Sequence, residues 1–264
     1  MNELALLTGA SGGIGKEMTQ ILAANGLDLL LIDKDQNALQ EQKSTLNRAF
    51  PLIEVHILVM DLVNPSSATE VEEYTKHLNV VPTILINNAG FGTLGFFTHN
   101  DWDRERSMLQ LHVMTLTHMT KIYATQMVAE GRGRIMNVAS LAGFHPSPLM
   151  AVYNASKAYV ISFSEALANE MKGTGVTVTV LCPGLTRTGF QKVVGGGEPD
   201  FTKSSWLSST PKMVARKAYQ DMMKGKVISI PGFFNRLLAN GYRFVPRNTV
   251  VHLVRKIQEQ NRRL

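Results

Sequence analysis

The sequence predicts a doubly wound α/β fold, in which helices cover both faces of a parallel sheet. Short apolar runs of β type alternate along the chain with longer amphipathic stretches of helical periodicity. The predicted strands cover residues 4–7, 27–32, 53–59, 83–86, 134–138 and 176–181. The predicted helices lie near residues 14–23, 36–49, 66–78, 101–129 and 150–172. This rhythm is typical of right-handed βαβ crossovers, which place successive strands parallel in one sheet.

Length and composition indicate one domain with a full apolar core. The chain has 264 residues, of which 44% are apolar, and doubly wound domains of this size commonly fold as one unit. The sequence contains no internal repeat, low-complexity tract or Pro/Ser-rich linker that would divide it. We therefore expect a single domain over residues 1–264.

The cysteine count and the start of the chain bear on its compartment. Cys182 is the single cysteine, and its position in an apolar run indicates a buried apolar side chain in a reducing environment. The first predicted strand begins almost at Met1, so no signal peptide is visible, and no apolar run approaches the length of a membrane span. We expect a cytoplasmic location.

The net charge of +6 is distributed unevenly. Residues 1–202 contain 14 Lys and Arg against 19 Asp and Glu, whereas residues 203–264 contain 13 against 2. The mildly acidic main body lacks the interleaved basic and aromatic side chains of a nucleic-acid-binding surface. We therefore expect no nucleic-acid partner.

A glycine-rich turn follows the first predicted strand and opens the first predicted helix. It reads T-G-A-S-G-G-I-G over residues 8–15. Gly9 permits a tight turn, Gly13 lets backbone approach a pyrophosphate, and Gly15 lets the helix pack on the strand. The helix N-terminus supplies N–H donors and positive potential to an anion. A plain glycine-rich turn is the alternative, but the position between strand and helix favours dinucleotide binding.

Three polar side chains can meet at the carboxyl edge of the sheet. Tyr153 and Lys157 are four residues apart and therefore share one helix face. Ser140 ends the segment after the fifth predicted strand, at the edge where ligands of open α/β sheets bind. A tyrosine and lysine with this spacing can also belong to an ordinary amphipathic helix, but the serine and the glycine turn together favour a catalytic site.

These motifs resemble the short-chain dehydrogenase/reductase family over about residues 4–190. The spacing T-G-x-x-x-G-x-G is that family's, N-N-A-G at residues 87–90 resembles its motif after the fourth strand, and Pro183-Gly184 resembles its nicotinamide-binding segment. The resemblance implies a Rossmann-type sheet of about seven strands in the order 3-2-1-4-5-6-7. It also implies hydride transfer between a nicotinamide cofactor and a carbonyl or secondary alcohol.

The resemblance assigns roles to individual residues. Lys157 would bind the ribose hydroxyls, Ser140 would hydrogen-bond the substrate oxygen, and Tyr153 would exchange the proton. The cofactor-binding set comprises Gly9, Ser11, Gly13, Ile14, Gly15, Asp33, Lys34, Asp61, Leu62, Asn88, Ala89, Gly90, Tyr153, Lys157, Pro183, Gly184, Thr186 and Thr188. We expect no metal ion in the site.

The proton transfer leads to an expectation about a pKa. A free tyrosine has a pKa near ~10, and a cation about 4 Å away at an effective dielectric of roughly 20 contributes ~4 kcal/mol, or about three pK units. We therefore expect Lys157 to bring the pKa of Tyr153 close to neutrality.

The choice of dinucleotide depends on the end of the second predicted strand. Asp33 lies about twenty residues past the glycines, can accept hydrogen bonds from both ribose hydroxyls, and would repel a 2′-phosphate. Gly12 offers no compensating cation. These residues favour NAD(H), although Lys34 could turn toward a 2′-phosphate, which leaves NADP(H) possible.

One catalytic position departs from the family pattern. The family usually carries an asparagine in the fourth helix, associated with an ordered water that links the lysine to solvent, and His112 occupies that position. A neutral imidazole can donate and accept, so His112 could preserve the proton relay. Packing without a catalytic part is an equal alternative.

Large side chains flank the motifs, and several of them should line a cleft for an apolar substrate, while others belong to the core. They are Phe91, Phe96, Phe97, Phe144, His145, Met150, Phe190, Trp206 and Leu207. Residues 189–209, with three consecutive glycines at 195–197, resemble the family's variable substrate loop and could close as a lid.

The basic tail at residues 231–264 predicts two short amphipathic helices. Their apolar faces, with Arg and Lys opposite, suit an anionic membrane surface, the covering of the substrate cleft, or a partner subunit. We expect a homodimer or homotetramer, and peripheral membrane contact is possible.

Two other classes of protein stay open. The first is a dinucleotide-binding sensor or scaffold without turnover, which His112 alone supports. The second is a membrane-surface module that uses the basic tail, which would leave the glycine turn unexplained.

Overall fold

A seven-stranded parallel sheet forms the centre of the protein. The computed structural model describes residues 3–190 and 208–262. The sheet order is β3-β2-β1-β4-β5-β6-β7, and every neighbouring pair is parallel. The strands are β1 Leu4–Thr8, β2 Asp28–Asp33, β3 Val55–Val59, β4 Ile84–Asn87, β5 Gly133–Val138, β6 Val176–Leu181 and β7 Ile228–Ser229. The predicted fold class and strand order are confirmed.

Helices cover both faces of this sheet. They are α1 Gly13–Ala24, α2 Gln36–Ala49, α3 Ser67–His77, α4 Trp102–Leu109, α5 Leu116–Ala129, α6 Ala151–Glu170, α7 Pro211–Met223, α8 Phe233–Gly241 and α9 Arg247–Arg262. Polar N-caps start several of them: Asp35 accepts from the Ala38 N–H at 3.0 Å before α2, and Thr210 caps α7.

The strands alternate their side chains between two apolar cores. Ala5 and Leu7 of β1 face a core with Met18 of α1 and Leu39 of α2, whereas Leu4 and Leu6 face a second core with α3 and α5. All five residues of β1 are buried, because helices cover both faces of a parallel sheet. This explains why the central strands are continuous apolar runs.

The structure departs from the predicted elements at the start of one strand, within one helix and at the last strand. The third strand begins at Val55 rather than at residue 53, after a turn that starts at Pro51. The predicted helix at 101–129 is divided by a π-helical turn, Gln110–Thr115. β7 lies outside the six predicted runs because two residues are too few to show a period.

The carboxyl ends of four strands meet at one edge of the sheet. β1 leads there into the glycine turn, β4 into the segment from Asn88 to Gly90, β5 into Ser140, and β6 into Pro183. Open α/β sheets bind ligands at this edge.

The C-terminal tail folds back onto the same edge. It consists of α8, a 3₁₀ turn at Tyr242–Phe244 and α9, so both predicted tail helices are present. The Tyr242 ring contacts His145 at an interplanar angle of 45°, with 4.4 Å between ring centroids. Among residues 3–190 and 208–262, every helix is too short or too polar to cross a bilayer.

Candidate active site

The glycine turn brings α1 close to the start of the chain segment after β4. Gly9 has a φ of +63°, and a Cβ there would lie 2.7 Å from the Cα of Ala89. A Cβ on Gly15 would collide with the Gly9 carbonyl oxygen, and one on Gly13 would lie 2.6 Å from Thr188 Cγ2. All three positions therefore require glycine, and Ile14 between them packs against the core.

Asn88 and Ala89 hold this turn in place. The Asn88 side chain donates to the carbonyl oxygens of Thr8 at 3.1 Å and Gly9 at 2.9 Å. The Thr8 hydroxyl accepts from the backbone N–H groups of Asn88 and Ala89 at 3.0 and 3.1 Å. These bonds make the segment after β4 a support for the turn.

Asp33 connects the end of β2 to the same turn. Its Oδ2 accepts from the Ser11 N–H at 3.0 Å and from the Ser11 hydroxyl at 2.6 Å. Its Oδ1 accepts from the Lys34 N–H at 2.8 Å. The carboxylate thus stands beside the glycine turn, and its bond to Ser11 is a contact that the sequence did not suggest.

Asp61 and Leu62, which lie just after β3, differ in exposure. Asp61 is exposed, and its carboxylate accepts from the Val63 N–H at 3.1 Å. The Leu62 side chain belongs to the core, and its carbonyl oxygen accepts from Thr115 at 2.8 Å. Only Asp61 of this pair offers side-chain atoms to a ligand.

Ser140, Tyr153 and Lys157 come together at the end of β5. Ser140 hydrogen-bonds Tyr153, and its hydroxyl also accepts from the Ala142 N–H at 3.1 Å. Lys157 donates to the Val138 carbonyl oxygen at 2.9 Å, and its Nζ lies 5.9 Å from the centroid of the Tyr153 ring. Tyr153 and Lys157 are both buried on α6.

The pKa expectation for Tyr153 is wrong in direction. Burial raises the pKa of the Tyr153 phenol to about 12, against a smaller lowering by its hydrogen bond with Ser140. Burial lowers the pKa of Lys157 to about 8. The Lys157 ammonium is hydrogen-bonded to the Val138 carbonyl oxygen, so desolvation of the phenolate outweighs its field. Tyr153 is therefore a protonated phenol at neutral pH.

The π-helical turn places His112 inside the site. Its imidazole is 1% exposed. Nε2 accepts from the Phe91 N–H at 3.3 Å, and Nδ1 lies 3.0 Å from the Ser156 hydroxyl. Because that hydroxyl donates to the Tyr153 carbonyl oxygen at 2.7 Å, we assign the imidazole proton to Nδ1, which donates to Ser156.

Both His112 nitrogens are thus occupied by protein groups, and the ring is neutral. Burial, together with the charge of Lys157, holds the pKa of the His112 imidazole well below its usual value. A Cβ on Gly90 would lie 2.8 Å from His112 Nε2 and 3.6 Å from Lys157 Nζ. His112 therefore connects the Gly90-Phe91 backbone to the helix that carries Tyr153.

The segment after β6 crosses toward the glycine turn. The Pro183 carbonyl oxygen accepts from the Leu141 N–H at 2.9 Å, and the Thr186 hydroxyl donates to the Gly184 carbonyl oxygen at 3.0 Å. The Thr188 side chain lies next to Gly13. A Cβ on Gly184 would lie 2.6 Å from the side chain of Asn235 in α8.

An apolar wall surrounds the Tyr153 ring. Of the nine predicted lining residues, Phe91, Met150 and Phe190 pack in this cluster. Phe144 joins a separate core cluster, His145 contacts the Tyr242 ring, and Phe96 and Phe97 are exposed. Trp206 and Leu207 lie outside the described residues, as does most of the predicted loop at 189–209.

The sequence analysis missed several side chains of this region. Met108 and Leu94 belong to the apolar wall, and Gln258 of α9 donates to the Ser147 hydroxyl at 3.4 Å and contacts the Met150 sulfur at 3.7 Å. Ser156 could have been found from its place in the Y-x-x-S-K segment. Gln258 carries no such local signal, because more than a hundred residues separate it from its partners.

Comparisons with known proteins agree with this arrangement. A family model described as short chain dehydrogenase matches residues 3–198. A very-long-chain 3-oxoacyl-CoA reductase from Pyrenophora tritici-repentis is 34% identical over 213 residues, which cover 79% of this chain and 60% of that protein. The chain thus spans less than two thirds of the fungal reductase's length.

A bacterial relative and a solved structure extend the comparison. The ketoacyl reductase HetN of a Nostoc species is 30% identical over 211 residues, covering 80% of this chain and 71% of that protein. A short-chain dehydrogenase from Sphingobium yanoikuyae, solved in complex with NADPH, has a TM-score of 0.80 at 26% identity and covers 94% of this chain and 95% of its own. The family model covers most of the chain, including its glycine turn and Tyr153, and so the chain belongs to the short-chain dehydrogenase/reductase family.

Proposed function

We propose that this protein is an NAD(P)-dependent oxidoreductase that reduces the carbonyl group of an apolar substrate to a secondary alcohol, and that can catalyse the reverse reaction. The observation that carries the proposal is the meeting of Ser140, Tyr153 and Lys157 beside the glycine turn. Neither the three side chains nor the glycine turn is needed for the fold in this combination, and together they are what hydride transfer requires.

The residues present fit a nicotinamide dinucleotide. The turn is a cradle in which a Cβ at Gly9, Gly13 or Gly15 would meet neighbouring atoms, and the N-terminus of α1 offers N–H groups and positive potential to a pyrophosphate. When bound, the cofactor supplies the hydride. We propose that the cofactor-binding residues predicted from the sequence hold it, with Asp61 at the adenine end and Thr186 at the nicotinamide end.

We further propose that NAD(H) is the preferred form. The Asp33 carboxylate stands beside the turn, where ribose hydroxyls would be its natural donors and a 2′-phosphate would be repelled. Lys34 follows directly and offers a cation to a 2′-phosphate, so NADP(H) is the form to compare.

Each catalytic side chain has a role that its surroundings support. The neutral Tyr153 phenol donates its proton to the carbonyl oxygen during reduction, and Ser140 hydrogen-bonds the same oxygen. Lys157 keeps a positive charge next to the phenol and binds the ribose hydroxyls. In the oxidation direction the same group accepts the proton as the phenolate.

We assign His112 to the site as a positioning residue. Its two hydrogen bonds hold the Gly90-Phe91 backbone and Ser156 in register with Tyr153. A relay of protons from Lys157 through a buried, neutral ring that already serves two protein partners would require those bonds to open.

The substrate class follows from the wall around Tyr153. Met108, Met150 and Phe190 are apolar. One relative is named a very-long-chain 3-oxoacyl-CoA reductase and another a ketoacyl reductase. We propose an apolar 3-oxoacyl compound or a ketone of similar character. The single cysteine, Cys182, is buried and unpaired, which suits the reducing cytoplasm that we propose as the location.

The test is a panel of apolar ketones, 3-oxoacyl thioesters of increasing chain length and secondary alcohols, each with NAD(H) and NADP(H). Absorbance of the reduced cofactor reports turnover, and quenching of protein fluorescence reports cofactor binding. We expect kcat/KM to rise with chain length and to be higher with NADH. Cofactor binding without turnover on any substrate would instead identify a sensor or scaffold, and absence of both would refute the proposal.

A further inference from the structure

The C-terminal tail exposes a group of large apolar side chains. We call Phe233, Phe234, Leu237, Leu238 and Phe244 the tail surface. Phe233 is 69% exposed, Leu237 61% and Phe244 87%. Several large exposed apolar side chains on one short segment are uncommon on soluble proteins, and such groups mark contact with a partner or a membrane.

Four of these residues share one side of α8. Positions 233, 234, 237 and 238 recur at helical spacing, so their side chains point the same way. The rings of Phe233 and Phe234 contact each other edge to face, with 5.8 Å between centroids. The buried residues of α8 are Asn235 and Ala239, on the opposite side.

The protein holds this surface in a fixed orientation. Asn235 donates to the Pro231 carbonyl oxygen at 2.7 Å and packs on Gly184. The Tyr242 ring contacts the His145 ring, and Gln258 donates to the Ser147 hydroxyl. The inner side of the tail is therefore attached to the active-site edge, while the outer side carries the apolar residues.

The charge of the tail indicates which kind of partner the tail surface binds. Residues 231–264 contain seven Lys and Arg and one acidic residue, and Arg236, Arg247 and Lys256 are exposed. An apolar face with a basic rim is complementary to a bilayer that carries anionic lipid. A symmetric contact between two copies would instead bring the same basic residues together.

We propose that the tail surface docks the protein on a bilayer that contains anionic phospholipid. Phe233, Leu237 and Phe244 enter the interfacial region, and Arg236 and Arg247 meet the headgroups. Docking requires no turnover, so the inference stands apart from the proposed function. It would bring the active-site edge, to which the tail is attached, close to apolar compounds dissolved in the membrane.

The experiment measures co-sedimentation of the full chain with vesicles of phosphatidylcholine alone and of phosphatidylcholine mixed with phosphatidylglycerol. We expect binding to the mixed vesicles that weakens as salt is added, because salt screens the basic rim. Phe233→Ser combined with Leu237→Ser should weaken binding about tenfold or more. Arg236→Gln combined with Arg247→Gln should remove most of the preference for anionic vesicles.

A matched control uses an exposed apolar residue far from the tail. Leu52, 90% exposed in the turn before β3, lies at the amino edge of the sheet, and Leu52→Ser should bind as the wild type does. Thermal unfolding verifies the fold of each variant, and Phe244→Ser replaces the double variant if that one does not fold.

Three results would overturn the inference. Wild-type protein could stay in the supernatant with both vesicle types. The apolar variants could bind as strongly as Leu52→Ser. Sedimentation equilibrium could show that the apolar variants dissociate an oligomer that the wild type forms, which would identify the tail surface as a subunit interface.

Discussion

Tyr153 shows how burial decides the state of one catalytic side chain. The phenol lies among Met108, Met150 and Phe190, and burial raises its pKa to about 12. The sequence, which places Lys157 four residues after Tyr153, predicted that the pKa of Tyr153 is lowered. The difference arises because burial removes the phenolate from water, while Lys157 directs a hydrogen bond to the Val138 carbonyl oxygen and its Nζ lies 5.9 Å from the centroid of the Tyr153 ring.

The role of this phenol leads to the first prediction. Tyr153→Phe removes the transferable proton and leaves the apolar wall intact, so we expect turnover to fall by about 10²–10⁴-fold or more. Dinucleotide affinity should stay within a few-fold, as measured by fluorescence quenching. Turnover close to that of the wild type would show that another group exchanges the proton.

Asp33 carries the prediction on cofactor choice. Asp33→Ala removes the carboxylate beside the turn and should shift the ratio of kcat/KM values toward NADP(H), since Lys34 is then unopposed. Asp33 also holds Ser11 through two hydrogen bonds, so the substitution loosens the turn as well.

Ser11→Ala is the matched control for this second effect. It removes the hydroxyl contact at 2.6 Å but keeps the carboxylate, and it should weaken both cofactors alike. An unchanged cofactor ratio in Asp33→Ala, or a wild type that already prefers NADP(H), would contradict the assignment of Asp33.

At the scale of elements, the π-helical turn at Gln110–Thr115 is the feature that helical periodicity did not predict. The sequence indicates one helix across residues 101–129, because the extra residue of a π turn leaves little trace in the apolar pattern. In the structure, the turn separates α4 from α5 and directs His112 into the site. Such turns are frequently found at functional sites.

The element-scale prediction concerns His112. His112→Leu removes the acceptor of the Phe91 N–H and the donor to the Ser156 hydroxyl, so Tyr153 is held less accurately and we expect kcat to fall by about 100-fold. His112→Asn retains one donor and one acceptor and should keep substantial activity. Steady-state kinetics of the two variants, with circular dichroism as a check on folding, makes the comparison.

The pH profile separates positioning from proton relay. The pKa of His112 lies well below its usual value, so activity should show no loss from imidazole protonation near pH ~6.5. If His112→Leu folds normally and matches the wild type in kcat, His112 contributes only to packing. A loss of wild-type activity near that pH that disappears in His112→Asn would favour the relay.

For the whole molecule, the same buried imidazole affects stability. Its pKa is lowered in the folded state, whereas the unfolded chain has a histidine pKa of about 6.5. Below about pH 6.5 the unfolded state therefore binds a proton that the folded state does not. The free energy of unfolding should therefore decrease as the pH drops below about 6.5.

Urea unfolding of the wild type and of His112→Asn at several pH values measures this contribution. The Asn variant should lose less stability on acidification, because it has no group to protonate at this position. Equal losses in the two proteins would show that His112 titrates alike in the folded and unfolded states.

The expected strand order came from the resemblance to the family. The sequence by itself determined the fold class and the presence of the glycine turn. These depend on local properties: the apolar period of strands and helices, and the freedom of Gly9 to adopt a positive φ. The family motifs have fixed spacings, so they could be read without knowing how the chain folds.

Only the tertiary structure decided the ionisation of Tyr153, the two partners of His112 and the attachment of the tail. A pKa depends on burial, on hydrogen bonds and on the distance of neighbouring charges, which no spacing along the chain reveals. The contacts of Asn235 with Gly184 and of Gln258 with Ser147 join segments far apart in sequence. The packing of the tail against the active-site edge determines which of its side chains are covered and leaves the outer face of α8 exposed.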